Sequence, residues 1–171
     1  ADAMAAIGAT VPYDALLLLG DNVYPRGDPA MLPDTVFTPF APVLDEGADL
    51  LAILGNHDVP NGAAQMAALG MPGRWWSREY ADGEVLVVGL DSNDVGDQDQ
   101  RAWLETTLRA SKATWKIVAL HHPPYSAGYQ GSSLDARQAF GPLFAENGVQ
   151  LVLSGHDHDY QRSVPIDGVT Y

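Results

Sequence analysis

Four short apolar runs, Ala15–Leu19, Leu50–Leu54, Ile117–Leu120 and Leu151–Leu153, each stop at a Gly or a polar residue. Runs of this length with no helical period predict buried strands. Between them the apolar positions recur differently. A helix is expected over residues 1–8, another near 34–45 after a Pro-rich loop at 25–33, and a third over 61–70, rich in Ala. Two β-rich runs, Trp75–Tyr80 and Glu84–Leu90, flank Ala81-Asp82-Gly83, a hairpin signal. A helix over about 99–111 then begins at Asp97 or Asp99, either of which suits its N-terminal cap, and leads to a strand over 116–120. The last helix has the clearest pattern. Ser132-Ser133-Leu134-Asp135 resembles a capping box, Ala136, Ala139, Phe140, Leu143 and Phe144 make one stripe, and Gly148 stands where a C-terminal cap belongs. Strands interleaved with helices predict an α/β fold.

The segments just after the apolar runs are chemically unusual. All five histidines, His57, His121, His122, His156 and His158, fall in GNHD (55–58), HHPP (121–124) and GHDH (155–158). A fourth segment, Gly20-Asp21-Asn22-Val23-Tyr24, adds a carboxylate and a phenol. Each segment comes directly after an apolar run. Ligands of α/β sheets bind just beyond the carboxyl ends of the strands. Four coordinating clusters at four strand ends therefore predict one metal site. Each motif alone has a structural reading: Gly-Asp-Asn as a turn, Gly-Asn-His-Asp as a loop with a helix cap, His-His-Pro-Pro as a rigid end to a strand. Their joint occurrence in this order is what points to chemistry.

The donor types restrict the metal. The chain has no cysteine, so only N and O ligands are available. Carboxylate, amide and imidazole donors from Asp21, Asn56, His121, His156 and His158 suit Zn, Mn or Fe rather than a calcium cage. The Tyr24 phenol favours a hard, highly charged ion such as Fe(III). His156 and His158, two apart, fall on one side of extended backbone, within reach of neighbouring ions. Two metals ~3.5–4 Å apart form the usual clamp for phosphate ester hydrolysis.

Charge narrows the partners. The net charge is −13, with nine dispersed Lys and Arg, a field that repels polyphosphate backbones and argues against nucleic acid. No run of 18 apolar residues is present, so no segment reads as a membrane-spanning helix. A loose calcium-loop likeness at 91–97 fails because Val95 takes a ligand position and Ala102 stands where the bidentate Glu belongs. That stretch reads as an acidic loop entering a helix. One of Trp75 and Trp76 is expected to face in and the other out along an edge strand, and Arg162 reads as a partner in a surface salt bridge.

Together the motifs resemble the calcineurin-like metallophosphoesterase superfamily, along the whole chain. The Tyr24 position and the Val118-Ala119-Leu120-His121 form are similar to its purple acid phosphatase branch. This resemblance implies a two-sheet β-sandwich flanked by helices. Asp21 would bridge two metals, Tyr24 and His158 would hold an Fe(III)-type site, and Asn56, His121 and His156 would hold Zn, Mn or Fe(II). His57 would assist the leaving group while a metal-held hydroxide attacks a small phosphate monoester. His122 would stand in for substrate-binding histidines of plant-type members, which 125–131 lacks. The family's first motif, carrying one further Asp ligand, is expected on a strand before residue 1. Residues 1–171 would then form one metallophosphoesterase domain lacking that strand and the C-terminal strands, with a gap at a sheet edge. A secreted or extracytoplasmic location is implied by the same resemblance. Two alternatives stay open: a phosphodiesterase of the same superfamily, or a metal-binding domain without turnover.

Overall fold

The computed structural model describes residues 1–171. Two sheets pack face to face, and helices cover the outer face of each. The smaller sheet is a parallel pair, β1 (Ala15–Leu18) and β2 (Asp49–Ala52), with Leu16 opposite Leu50. The larger runs in the order β3 (Trp76–Tyr80), β4 (Val85–Gly89), β5 (Trp115–Leu120) and β6 (Leu151–Ser154). Its β3–β4 hairpin is antiparallel, and β4, β5 and β6 are parallel. This is the helix-flanked sandwich that the resemblance implies.

Strand alternation divides the core. Leu86, Val88, Val118 and Leu120 face α4 (Gln98–Ala110) and α5 (Leu134–Glu146), where Leu104, Leu108, Phe140 and Phe144 are fully buried. The opposite positions, Val87 and Ala119, meet Leu51, Ile53 and Trp76 between the sheets. Outside β1 and β2, Leu16 packs on Val43 of α2 (Thr38–Leu44) and on Met4 of α1 (Asp2–Gly8), while Ala52 packs on Val23, Leu32 and Val36. Each fully buried large apolar side chain contributes ~1.5–3 kcal/mol, so the two Phe of α5 anchor the larger sheet's helices.

Several local expectations need correction. The helix expected near 34–45 is divided. Residues Pro33–Phe37 form one wide turn, closed by Thr38 N–H donating to the Pro33 carbonyl, and α2 follows. Pro39 and Pro42 have no N–H to give, so a regular ladder cannot run through this segment. The helix expected over 61–70 is shorter, α3 spanning Gly62–Ala68. Arg162 is exposed and takes part in no ion pair. Trp76 is buried and its indole N–H donates to the Ala52 carbonyl at 2.8 Å; Trp75 lies under the Arg74 guanidinium rather than in solvent.

Other local signals match. Asp97, not Asp99, caps α4 by accepting from Gln100 N at 3.0 Å, and Ser133 caps α5 by accepting from Ala136 N at 3.2 Å. No helix is long and apolar enough to cross a membrane. Thr170 hydrogen-bonds along the outer edge of β6, through Val152 N to its carbonyl at 2.8 Å. The loops that leave β1, β2, β5 and β6 at their carboxyl ends come together at one end of the sandwich.

Candidate metal centre

Close approach of these loops depends on two glycines. A Cβ on Gly20, where φ is +86°, would lie 2.6 Å from both Gly55 N and His121 Nδ1. One on Gly55 would lie 2.1 Å from Asp21 Oδ1. No side chain fits at either place, so the first two loops can touch only through glycine. Asp58 then ties them together. Its carboxylate is fully buried and accepts from Gly55 N at 2.9 Å, Asn22 N at 3.1 Å, Val23 N at 3.3 Å and Gln65 Nε2 at 2.7 Å. The Asn22 amide adds a bond to Asp58 at 3.2 Å and another to the Ile53 carbonyl at 3.0 Å.

Asp21 stands at the middle of the convergence. Its Oδ1 accepts from His57 N at 2.9 Å, and its Oδ2 lies 3.0 Å from the Tyr24 hydroxyl and 3.4 Å from His121 Nε2. On one side the Tyr24 hydroxyl also meets His158 Nε2 at 3.1 Å. On the other, His121 Nε2 lies 3.1 Å from Asn56 Oδ1 and 3.2 Å from His156 Nδ1. The donors thus fall into two groups that share Asp21. His121 is fully buried and His156 half-buried, while Asn56 is exposed and Tyr24 is 48% exposed, so the site opens to solvent along Asn56 and Tyr24. Asp21 (φ 53°) and His156 (φ 68°) both hold left-handed backbone, a cost of ~1–3 kcal/mol each that is usually found at functional sites.

The tautomer of His121 decides what this cluster can hold. Its Nδ1 lies 2.8 Å from the Leu19 carbonyl, which can only accept, so Nδ1 carries the proton. In the neutral ring Nε2 is then a bare lone pair. It faces Asn56 Oδ1 and Asp21 Oδ2, which are also lone pairs. Acceptors crowded together repel unless a proton or a metal cation sits among them. Two ligands each ~2.1 Å from one ion stand ~3.0 Å apart at a right angle and ~3.4 Å apart at the tetrahedral angle. The spacings around His121 Nε2 match that range. The residues therefore fit a cation. On the other side, burial and the hydrogen bond to Asp21 push the Tyr24 phenol up to about 12, so a cation there has to displace its proton.

His122 joins the same group from the adjacent position. Ring nitrogens of His121, His122 and His156 all lie within 4.8 Å of one another. Burial, then the His121 and His156 rings, push His122 down to about 4, and burial and His121 lower His156. Both rings stay neutral near pH 7 and keep a lone pair available. Ser92 holds His122 twice, through its Oγ accepting from His122 N at 2.9 Å and lying 3.0 Å from Nδ1. His57 is placed apart from these rings. Its Nδ1 bonds the Pro25 carbonyl at 2.9 Å and its ring packs on Tyr24, with centroids 4.6 Å apart.

All eight residues singled out in the sequence, Asp21, Tyr24, Asn56, His57, His121, His122, His156 and His158, meet at this end of the sandwich. Sequence reading missed Asp58, Asn22, Gln65 and Ser92. Asp58 sits inside GNHD and its buried carboxylate had a signal. Ser92 had none, because its partner is 30 residues away.

The model of the calcineurin-like phosphoesterase family matches residues 2–160. The chain belongs to that family. Among similar proteins, purple acid phosphatase 17 of Arabidopsis thaliana is 30% identical over 193 residues, 93% of this chain and 56% of that protein. Phosphoenolpyruvate phosphatase of Allium cepa is 30% identical over 139 residues, covering 77% of this chain and 28% of its own. The chain spans 56% of the length of purple acid phosphatase 4 of Arabidopsis thaliana as well. Among solved structures, GAP50, the anchor in the inner membrane complex of Plasmodium, superposes with a TM-score of 0.77 at 18% identity, over 99% of this chain and 63% of that one. That likeness concerns the fold. Membership of a metallophosphoesterase family implies divalent metal ions, and the acceptor cluster around His121 is where this calcineurin-like phosphoesterase has donors to hold one.

Proposed function

We propose that this chain carries a dinuclear site for metal-dependent hydrolysis of phosphate monoesters. The observation that carries the reading is the crowding of bare acceptors around His121 Nε2, with Asp21 shared between that group and the Tyr24–His158 pair. Asn56, Asp21, His121 and His156 would hold one ion, and Asp21, Tyr24 and His158 the other, the tyrosine favouring Fe(III) beside Zn, Mn or Fe(II). A cation pair, when bound, supplies Lewis acidity and offsets charge on the phosphoryl group.

The remaining work falls to the chain. Water adds to phosphorus as the phosphorus–oxygen bond to the alcohol breaks, giving inorganic phosphate and a free alcohol. The departing alkoxide needs a proton. His57 would give it: its Nδ1 bonds the Pro25 carbonyl at 2.9 Å, which leaves Nε2 as the atom that would load and deliver another. The test is turnover of p-nitrophenyl phosphate and of bis(p-nitrophenyl) phosphate by metal-loaded protein. Faster monoester hydrolysis supports the reading, with kcat in His57→Ala falling about 100-fold or more for an alkyl ester such as 2-hydroxyethyl phosphate and much less for p-nitrophenyl phosphate, whose leaving group departs without a proton. Preference for the diester would replace it by a phosphodiesterase, and metal binding without either turnover by a binding domain.

A further inference from the structure

Beside Asn56 and His122 lies a cleft of about 380 Å³, whose wall continues through Ser92 and Asn93 to Ser133 and Asp135 at the first turn of α5. That is the small end of the usual range for ligand pockets, ~300–1,000 Å³. Its lining is polar, with Val95 as the one apolar side chain. Only one charged side chain lines it, the Asp135 carboxylate. The other acidic groups nearby do not line it and share one guanidinium, Arg74 lying 3.4 Å from Asp91, 3.5 Å from Asp94 and 2.6 Å from Asp97. No Lys or Arg lines the cleft. The closest in sequence, Arg137, bonds the Pro124 carbonyl at 2.8 Å and stacks on the Tyr125 ring. The α5 N-terminus offsets part of the Asp135 charge, but a helix end amounts to only ~0.5 of a unit charge.

Resting on the phosphoesterase reading, we infer that Asp135 selects the leaving group: the cleft takes small polar alcohols that carry a cation, so the preferred esters are aminoalkyl phosphates. With phosphate at the histidine loops, the alcohol of a monoester extends into the cleft. An ammonium there gains an attraction to Asp135, and a carboxylate or second phosphate is repelled by it. One apolar side chain offers little surface to an aromatic leaving group. The chain's net charge of −13 acts in the same direction at longer range.

Three esters of nearly equal size test this in metal-loaded protein: 2-aminoethyl, 2-hydroxyethyl and carboxymethyl phosphate. The expected order of kcat/KM is amino, then hydroxyl, then carboxyl, with steps of about two- to fivefold, the scale of one exposed ion pair. The steps should shrink as salt is raised. Compared within each variant, the order flattens in Asp135→Asn and reverses in Asp135→Lys. A second readout needs no turnover. Ethanolamine should shift the amide resonances of Leu134, Asp135 and Ala136, and should not do so in Asp135→Asn. Equal rates for the three esters, or a preference that survives Asp135→Asn, would overturn the inference while leaving phosphate hydrolysis in place. Failure to hydrolyse any ester, p-nitrophenyl phosphate included, would instead sink the phosphoesterase reading. In that event the amide titration still decides, and absence of the ethanolamine shift rejects the cleft assignment.

Discussion

Asn22 and Asp58, 36 residues apart, are joined twice: the backbone N–H and the side-chain amide of Asn22 both donate to Asp58 Oδ2, at 3.1 and 3.2 Å. With Gly55 N, Val23 N and Gln65 Nε2 added, one buried carboxylate fastens the loops after β1 and β2 to each other and to α3. Removing it leaves several buried donors without an acceptor. Asp58→Ala should cost about 3 kcal/mol or more, since each orphaned donor costs ~1–3 kcal/mol. Urea unfolding of the metal-free protein measures this. Metal affinity should fall as well, because Asp21 and Asn56 lie on the two loops that come loose.

Tyr24 offers a spectroscopic test. Its phenol, pushed up to about 12, stays protonated near neutrality until an ion displaces the proton. Iron(III)-loaded protein should therefore show a visible charge-transfer band, and Tyr24→Phe should bind iron without that band. A band of full strength in Tyr24→Phe would remove Tyr24 from the ligand set.

Away from the site, Tyr80 makes stability depend on pH. It donates to Asp49 Oδ2 at 3.0 Å, and burial with that bond pushes the phenol up to about 12 from an ordinary 10.0. Because the folded value is the higher one, the folded state holds the proton more tightly. The contribution of Tyr80 is whole below about pH 10 and is lost as pH climbs toward 12. Tyr80→Phe should lower stability by about 1 kcal/mol or less at pH 8, and the difference from the unaltered protein should narrow above pH 10. Chemical denaturation at pH 8, 10 and 11.5 provides the comparison.

Much of the fold was legible because each apolar run of β1, β2, β5 and β6 carries its own signal. Period-two burial put Leu86 and Val88 on one face of β4 and Val87 on the other, as alternation requires. The candidate metal ligands were legible for the same reason: Asp21, Asn56, His121 and His156 come soon after strand ends. The wide turn at Pro33–Phe37 was not, since no local pattern separates a wide turn from an ordinary helical one and Pro39 and Pro42 disturb the ladder only through missing donors further along. Nor was the web around Asp58, or Ser92 beneath His122. Those contacts join distant parts of the chain, and no local pattern encodes a partner 30 or more residues away.

The proposed cation site among the bare acceptors around His121 Nε2 is tested most directly by metal content. Dialysis against Zn, Mn or Fe is followed by metal analysis of the unaltered chain and of His121→Ala. Bound metal in the first, largely lost in the second, with a matching rise in Tm only in the first, is the predicted result. A site filled at 100 times its Kd should add about 2.7 kcal/mol of stability. Metal uptake and Tm that are the same with and without His121, or no uptake by either protein, would contradict the account.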